Sequence, residues 1–266
     1  MSAEVVERVL RSSRYRDVDR SLLARMADEE LPRSRNVDEA VKRVKRRLHQ
    51  AVGAFRAAQT TADIAEAWSG DLADPPLRAA CAEAMRSHAS TRERLAHLDT
   101  FYPRIWQHSG VPRRVLDLGC GLNPLALPWM GIGDATYLAI DADRRPLEAV
   151  RGFLDLVGQP HRVEARDLVG GPPDDIADVA LLLKLVTTLD RQDGEAAARL
   201  LRGLRAGHAV VSFPARSLAG RGRGMERTYR ERLDRLVDEV GRVSEVAEAS
   251  VPNELVFVLR LEPIDG

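Results

Sequence analysis

The feature that most constrains the fold is a short segment in which an apolar strand pattern runs directly into a glycine-rich turn. The run Val115–Leu118, interrupted only by Asp117, is followed by Gly119-Cys120-Gly121 and then by Asn123 and Pro124. Glycine lets the backbone turn tightly and approach a ligand where a Cβ atom would clash. Asn123 suits the N-cap of a following helix, and Pro124 suits its first position. The segment therefore predicts a strand, a ligand-binding loop and a helix in succession.

Strand-like apolar runs alternate with helical stretches through the rest of the chain. Strands are predicted at 114–118, 136–140, 162–165, 179–183 and 209–213, with helices near 144–157 and 193–205. Strands separated by helices indicate βαβ units and a parallel sheet covered on both faces. A helix near 225–240 then precedes two strand-like runs, 243–247 and 255–261, which we expect to form a closing antiparallel pair. The predicted fold class is α/β, a Rossmann-like sheet that is mostly parallel with its last strand antiparallel.

The first part of the chain carries helical patterns instead. Asn36, with Glu39 three residues later, is expected to form a capping box at the start of a helix. Apolar residues at helical spacing follow it, beginning with Val41, Val44 and Leu48. We therefore divide the chain into a helical N-terminal domain, residues 1–110, and an α/β domain, residues 111–266.

Acidic residues recur at the ends of the predicted strands, at the sheet edge where open α/β sheets bind ligands. Asp117 precedes the glycine loop, Asp141 ends the second strand and Asp167 follows the third, while Lys184 ends the fourth. The loop lacks the third glycine of the pattern typical of pyrophosphate sites and begins with an acid. That favours a cationic ligand without phosphates, such as S-adenosylmethionine.

In that interpretation the Asp141 carboxylate accepts hydrogen bonds from the ribose hydroxyls, and Asp167 lies near the adenine amino group. The alternatives are a plain turn with solvated acids, or the cofactor site of a nicotinamide dehydrogenase. The seven-strand pattern is also common in the class I methyltransferase fold. The predicted cofactor-binding residues are Asp117, Gly119, Cys120, Gly121, Asp141, Ala142, Asp167, Leu168, Leu183 and Lys184.

Several methylation chemistries lack their signatures. Lys184-Leu185-Val186-Thr187 stands where adenine amino methylation uses an Asn/Asp-Pro-Pro-aromatic loop. Neither Cys81 nor Cys120 is placed as the nucleophile for carbon-5 pyrimidine methylation, and no acid cluster suggests a metal. Guanine N7 carries an unprotonated lone pair and needs no general base, so positioning and exclusion of water would suffice. We predict no catalytic side chain and no metal.

Two basic segments indicate a large polyanionic substrate. Lys42, Arg43, Lys45, Arg46 and Arg47 give five cations in six residues on one helix, where contacts to phosphates would position the enzyme without reading bases. The alternative is a solvated helix face. A second segment after the fifth strand is a candidate substrate loop, or a flexible charged loop, and carries Arg216, Arg221, Arg223 and Met225.

Composition limits the other function classes. The 40 basic and 40 acidic residues give zero net charge, so any nucleic-acid surface must be local. Two distant cysteines, no signal-type N-terminus and no run of roughly 20 apolar residues favour a cytoplasmic protein without a membrane span. We expect a monomer.

Longer stretches resemble the aminoglycoside-resistance 16S ribosomal RNA (guanine-1405-N7) methyltransferases. The matching stretches are His88–Arg94, His97–Asp99 with Phe101-Tyr102, Asp117–Pro124, Pro128–Met130, Leu181–Lys184, Phe213–Met225 and Asn253–Leu255. The resemblance implies S-adenosylmethionine as the cofactor, 16S rRNA in the 30S subunit as substrate, and resistance to kanamycin- and gentamicin-type drugs.

By position, the resemblance places Gly119, Gly121, Asp141, Asp167 and Lys184 around the cofactor. It places the cations of both basic segments on the RNA and Met225 beneath the target guanine. It does not decide whether His88, Thr91 and Arg92 close the pocket or pack between the domains. Two other hypotheses remain: a small-molecule methyltransferase of secondary metabolism, and an RNA-binding module that keeps the cofactor as a structural ligand.

Overall fold

In the computed structural model, which describes residues 1–51, 60–214 and 222–264, a seven-stranded sheet forms the centre of the protein. Its strands lie in the order β3-β2-β1-β4-β5-β7-β6. Their bounds are Arg114–Leu118 (β1), Thr136–Asp141 (β2), His161–Ala165 (β3), Ile176–Leu183 (β4), Arg205–Pro214 (β5), Val243–Val251 (β6) and Glu254–Leu261 (β7). β1 to β5 pair in parallel, β7 is antiparallel to β5, and β6 is antiparallel to β7. The predicted fold class is confirmed.

Successive strand residues point to opposite sides of the sheet. Because apolar side chains therefore lie on both faces, helices cover both faces. Val115 belongs to one buried cluster and Leu116 to another. The described helices are Ser2–Leu10 (α1), Arg20–Glu30 (α2), Val37–Ala51 (α3), Thr60–Ala67 (α4), Pro75–Arg86 (α5), Ala89–Arg92 (α6), Leu98–Ser109 (α7), Leu127–Met130 (α8), Arg144–Leu156 (α9), Val186–Asp190 (α10), Ala196–Gly203 (α11) and Gly222–Val240 (α12). None of these helices has the length and apolar content that crossing a membrane requires.

The helices before β1 pack in two groups. α1, α2 and α3 enclose their own buried residues around Leu22, Leu23 and Met26, and we call the segment that carries these three helices, residues 1–51, the N-terminal cluster. Residues of α4, α5 and α7 instead share a core with the sheet and α9. The functional division of the chain at residue 110 stays a prediction.

Asn36 caps α3 as predicted, because its side-chain oxygen accepts a hydrogen bond from the Glu39 N–H at 2.9 Å. The Glu39 carboxylate accepts from the N–H of Arg35 at 2.9 Å, one residue before the position that a capping box would use. These two hydrogen bonds therefore hold the backbone just before α3 and in its first turn.

The N-terminal cluster docks on the sheet where β2 ends. Val18 forms an isolated antiparallel bridge with Asp143. The Asp19 N–H donates to the Ala142 carbonyl at 2.8 Å, and Ala142 also packs against the cluster. The first residues after β2, where an open α/β sheet binds ligands, are thereby held by the N-terminal part of the chain.

Candidate cofactor site

The glycine loop after β1 has the backbone conformation that its sequence predicts. Gly119 and Gly121 have φ angles of +67° and +50°, in the left-handed region that favours glycine. A Cβ atom on Gly119 would lie 2.8 Å from Leu185 Cδ1, and one on Gly121 would lie 3.4 Å from the His88 ring. A side chain on Gly119 would therefore require Leu185 to move, and at both positions the left-handed φ disfavours any residue other than glycine.

Cys120, between the two glycines, is buried, and its N–H donates to the Ile140 carbonyl at 3.0 Å. Burial raises the pKa of its thiol well above the ordinary value. A thiol that keeps its proton is a poor nucleophile, so the residue contributes to the site through its backbone and its packing.

Asp141 fastens the loop to the end of β2. One carboxylate oxygen accepts the Gly121 N–H at 2.9 Å and the other accepts the Asp143 N–H at 3.0 Å. Since a carboxylate offers about four acceptor positions, the donors within the described part of the chain leave one position on each oxygen for a further donor. Burial raises the pKa of this carboxyl, although the two backbone donors oppose the shift.

Asp117 lies beneath the loop, with a side chain that faces other protein groups. It is buried and accepts hydrogen bonds from Asn123 Nδ2 at 2.9 Å and from the Tyr137 hydroxyl at 2.7 Å. Burial raises its pKa to about 6. Among the described residues its partners are side chains that shape the loop from below.

The expected N-cap role of Asn123 is wrong. Asn123 is the first residue of a short 3₁₀ turn, Asn123–Ala126, and no side-chain cap precedes it. Its side-chain oxygen accepts from Arg94 Nη1 at 2.7 Å and from the Tyr102 hydroxyl at 2.8 Å. Asn123 thus connects Asp117 to a buried arginine that the sequence-based site prediction did not include.

That arginine, Arg94, has a side chain only 2% exposed and binds Glu254 at 2.8 and 3.2 Å. Glu254 is 3% exposed and also accepts from the Ser212 hydroxyl. We call Arg94, Asn123, Asp117, Ser212 and Glu254 the buried network. Its members come from the segment before α7, the 3₁₀ turn after the glycine loop, β1, β5 and β7, so it joins the region beneath the loop to the antiparallel half of the sheet.

Lys184 stands directly after β4 with a φ of +59°, unusual for a residue with a side chain. Its N–H donates to the Ser212 hydroxyl at 3.0 Å, and its ammonium lies 2.6 Å from Glu93 and 3.1 Å from the Ser90 carbonyl. Leu183 beside it is half-buried. Lys184 therefore fastens the segment around α6 to the carboxyl edge of the sheet.

The three residues left open in the sequence occupy different environments. His88 lies against Gly121 and shares a hydrogen bond with Ser90 at 2.7 Å, and burial lowers its pKa. Thr91 is buried and donates to the Met85 carbonyl at 2.6 Å, whereas Arg92 is exposed. His88 thus borders the glycine loop, and Thr91 packs internally.

Asp167 caps the short turn Leu168–Gly170, and its carboxylate accepts the Val169 N–H at 3.1 Å. The same carboxylate binds Arg25 of α2, with the Arg25 Nε–Asp167 Oδ2 distance at 2.5 Å and the Nη2–Oδ1 distance at 3.2 Å. Leu168 is buried. The acid expected near adenine is therefore held by the N-terminal cluster.

The basic helix α3 uses part of its charge internally. Arg43 lies 3.3 Å from Glu39 and 3.5 Å from Glu30, and Arg47 lies 2.7 Å from Glu29 and 3.1 Å from Glu30. Within the described residues, no ion pair involves the remaining cations of the run, which are Lys42, Lys45 and Arg46. Lys42 and Arg46 are exposed. Of the five cations on α3, these three are therefore the ones best placed to contact another molecule.

The second basic segment is described only at its end. Arg216 and Arg221 lie outside the described residues, as does the side chain of Arg223, while Met225 is half-buried near the start of α12.

Across residues 1–51, 60–214 and 222–264, no group of three or more His, Cys, Asp and Glu side chains could hold a metal ion.

Comparisons with known proteins give the site a family context. The model of the family described as ribosomal RNA methyltransferase (FmrO) matches residues 11–258. A Frankia casuarinae protein named 16S rRNA (guanine(1405)-N(7))-methyltransferase is 42% identical over 265 residues, covering 96% of this chain and 92% of its own. A Micromonospora echinospora protein of the same name is 36% identical, covering 97% and 96%. The crystal structure of 16S rRNA methyltransferase RmtF with S-adenosyl-L-homocysteine is similar at a TM-score of 0.85, with 34% identity and 98% of both chains covered.

Proposed function

The chain belongs to the FmrO family of ribosomal RNA methyltransferases, and we propose that it methylates N7 of guanine 1405 in 16S rRNA of the 30S subunit. The methyl donor is S-adenosylmethionine, and the modification confers resistance to kanamycin- and gentamicin-type aminoglycosides. The observation that carries the proposal is the glycine loop tied to Asp141, within a chain that matches the named relatives over nearly its whole length.

The described residues fit the adenosine part of the donor. Asp141 keeps one acceptor position on each oxygen, which suits the two neighbouring hydroxyls of a ribose. The left-handed turn at Gly121 lets the backbone approach a ligand where a side chain would clash. Asp167 stands after the next strand, at the same sheet edge.

When bound, S-adenosylmethionine supplies an electrophilic methyl group on a sulfonium. The protein's part is to bind, to orient and to keep water out, because guanine N7 already carries the attacking lone pair. Neither cysteine fits a covalent step, since burial raises the pKa of Cys81 to about 12 and that of Cys120 well above its ordinary value. We therefore assign no general base and no nucleophile.

The RNA surface is proposed to begin on α3 and to continue in the basic segment before α12. Lys42, Lys45 and Arg46 would contact phosphates, whereas Arg43 and Arg47 are engaged with acids of the N-terminal cluster. Residues 1–110 would thus position the subunit and residues 111–266 would hold the donor. Arg216, Arg221, Arg223 and Met225 are proposed to meet the target nucleotide. The enzyme would act as a monomer in the cytoplasm.

Methylation of purified 30S subunits tests this proposal. After incubation with S-adenosylmethionine, borohydride reduction and aniline cleavage, primer extension should show one new stop at guanine 1405, absent without the donor. Expression in a susceptible bacterium should give high resistance to kanamycin and gentamicin with sensitivity to apramycin. A protein that binds the donor but leaves guanine 1405 unmodified would overturn the assignment.

A further inference from the structure

The acid proposed to meet adenine is held from outside its own domain. Arg25, in the middle of α2, reaches Asp167 across 142 residues of sequence and contacts both carboxylate oxygens through Nε and Nη2. The two side chains are 21% and 10% exposed. Paired donors in this fork arrangement fix the plane of a carboxylate as well as its position.

Among the residues that the structure describes, the hydrogen bonds of Asp167 leave one acceptor position open. Oδ1 accepts from Val169 N and from Arg25 Nη2, so both of its positions are used. Oδ2 accepts from Arg25 Nε, so one position remains on that oxygen. An N–H donor arriving at Asp167 therefore meets a single site, and the guanidinium decides where that site points.

Arg25 is itself held in place by other residues. Its Nη2 also donates to Gln192 Oε1 at 2.9 Å, and its Nη1 donates to Glu29 at 2.9 Å. Burial by itself lowers the pKa of the guanidinium, but the bonds to Asp167 and Glu29 raise it above its ordinary value. The other Glu29 oxygen lies 2.7 Å from Arg47 of the basic helix α3. A continuous series of ion pairs thus runs from Asp167 to the helix proposed to bind RNA.

We propose that Arg25 is a positioning residue for the methyl donor, holding Asp167 so that its one open acceptor position meets the adenine amino group. This inference rests on the proposed function, because it takes S-adenosylmethionine as the ligand of the site. It assigns part of adenine recognition to the N-terminal cluster, whose other contacts hold the chain next to Asp141. Loss of Arg25 leaves Asp167 with one hydrogen-bond donor from the described residues, the Val169 N–H, and free to turn its oxygens toward water.

Two ligands that differ only at the amino group test the proposal. Isothermal titration would measure the affinity of S-adenosylhomocysteine and of S-inosylhomocysteine, in which an oxygen replaces that amino group. The intact protein should prefer the adenosyl ligand, because the open acceptor on Asp167 repels the inosyl oxygen. In Arg25→Ala the preference should fall about tenfold, the loss expected for one well-placed hydrogen bond to a charged group.

Arg20→Ala is the matched control, since Arg20 lies on the same helix and pairs with Glu7 at the surface. It should leave the preference unchanged. Equal weakening of both ligands in Arg25→Ala, or an unchanged preference, would overturn the proposal and leave Arg25 a structural residue. If Arg25→Ala does not fold, Arg25→Lys decides, because it keeps the charge and loses the fork, and the preference should still fall. Failure of the intact protein to bind either ligand would instead contradict the proposed function.

Discussion

Replacing Arg94 by alanine removes the centre of the buried network. Of its partners among the described residues, the Glu254 carboxylate, 3% exposed, would keep the Ser212 hydroxyl and the Lys184 ammonium at 3.7 Å. The Asn123 oxygen beneath the glycine loop would lose its charged donor. The ring of Phe101, 4.3 Å from the Arg94 guanidinium carbon, would lose its cation contact.

These losses are large because the charge left behind cannot be solvated. Breaking a buried ion pair by removing one partner costs about 3–5 kcal/mol of unfolding free energy. For a chain of this size, each kcal/mol corresponds to roughly 2 °C in Tm. The melting temperature of Arg94→Ala should therefore fall by roughly 6–10 °C. Replacing both Arg94 and Glu254 by methionine should recover much of the loss, since the Glu254 charge is then no longer buried without its partner.

Urea unfolding followed by circular dichroism measures this change. Arg86→Ala is the matched control, because Arg86 pairs with Glu83 on α5 with side chains 57% and 73% exposed. Its effect should stay within about 0.5 kcal/mol. If Arg94→Ala also changes the unfolding free energy by no more than about 0.5 kcal/mol, the stabilising role of the buried network is refuted.

Three further predictions concern the RNA surface, the loop and the pH dependence. Lys42→Ala and Arg46→Ala should each weaken binding to 30S subunits and lower the salt-dependence slope by about 1, measured by filter binding over a salt series; an unchanged slope would remove that residue from the RNA surface. Gly121→Ala should lower the unfolding free energy by about 1–2 kcal/mol in urea unfolding, because its Cβ would be held at a left-handed φ; an unchanged unfolding free energy would contradict the left-handed turn. Burial raises the pKa of Asp117 from 3.8 to about 6, so the folded state holds this proton more tightly, and the unfolding free energy relative to Asp117→Asn should rise as the pH falls from 7 to 5. If the unfolding free energy relative to Asp117→Asn instead falls or stays constant as the pH is lowered from 7 to 5, the raised pKa of Asp117 is contradicted.

The central strands and the acids at their ends could be predicted because their signals are local. β1 and β2 are buried on both faces and appear as continuous apolar runs, so their starts at Arg114 and Thr136 agree with the sequence. The glycine loop was predicted for the same reason, since its φ values require glycine whatever surrounds it. β4, β5 and β6 extend beyond the predicted runs, because exposed residues such as Ile176, Arg205 and Glu248 occur among the added ones and break the pattern of a continuous buried run.

The partners of the site's charged side chains could not be predicted. Arg94 and Glu254 are 160 residues apart, and an isolated charged residue in a sequence normally indicates solvent exposure. The same holds for Arg25 and Asp167, which meet only because the N-terminal cluster docks beside β2. Asn123 shows how a local rule can lose to tertiary packing: its side chain could cap a helix, but it instead bonds a buried guanidinium and two tyrosine hydroxyls.

The most direct test of the central claim is titration calorimetry of S-adenosylhomocysteine against the intact protein and Asp141→Ala. We expect one ligand per chain, and about a hundredfold weaker binding by the variant, since two hydrogen bonds to a carboxylate are worth about 3 kcal/mol. Asp155→Ala on α9, whose side chain is 65% exposed, should bind like the intact protein. No uptake by the intact protein, or unchanged affinity in a folded Asp141→Ala, would contradict the assignment of this loop and this acid to the methyl donor.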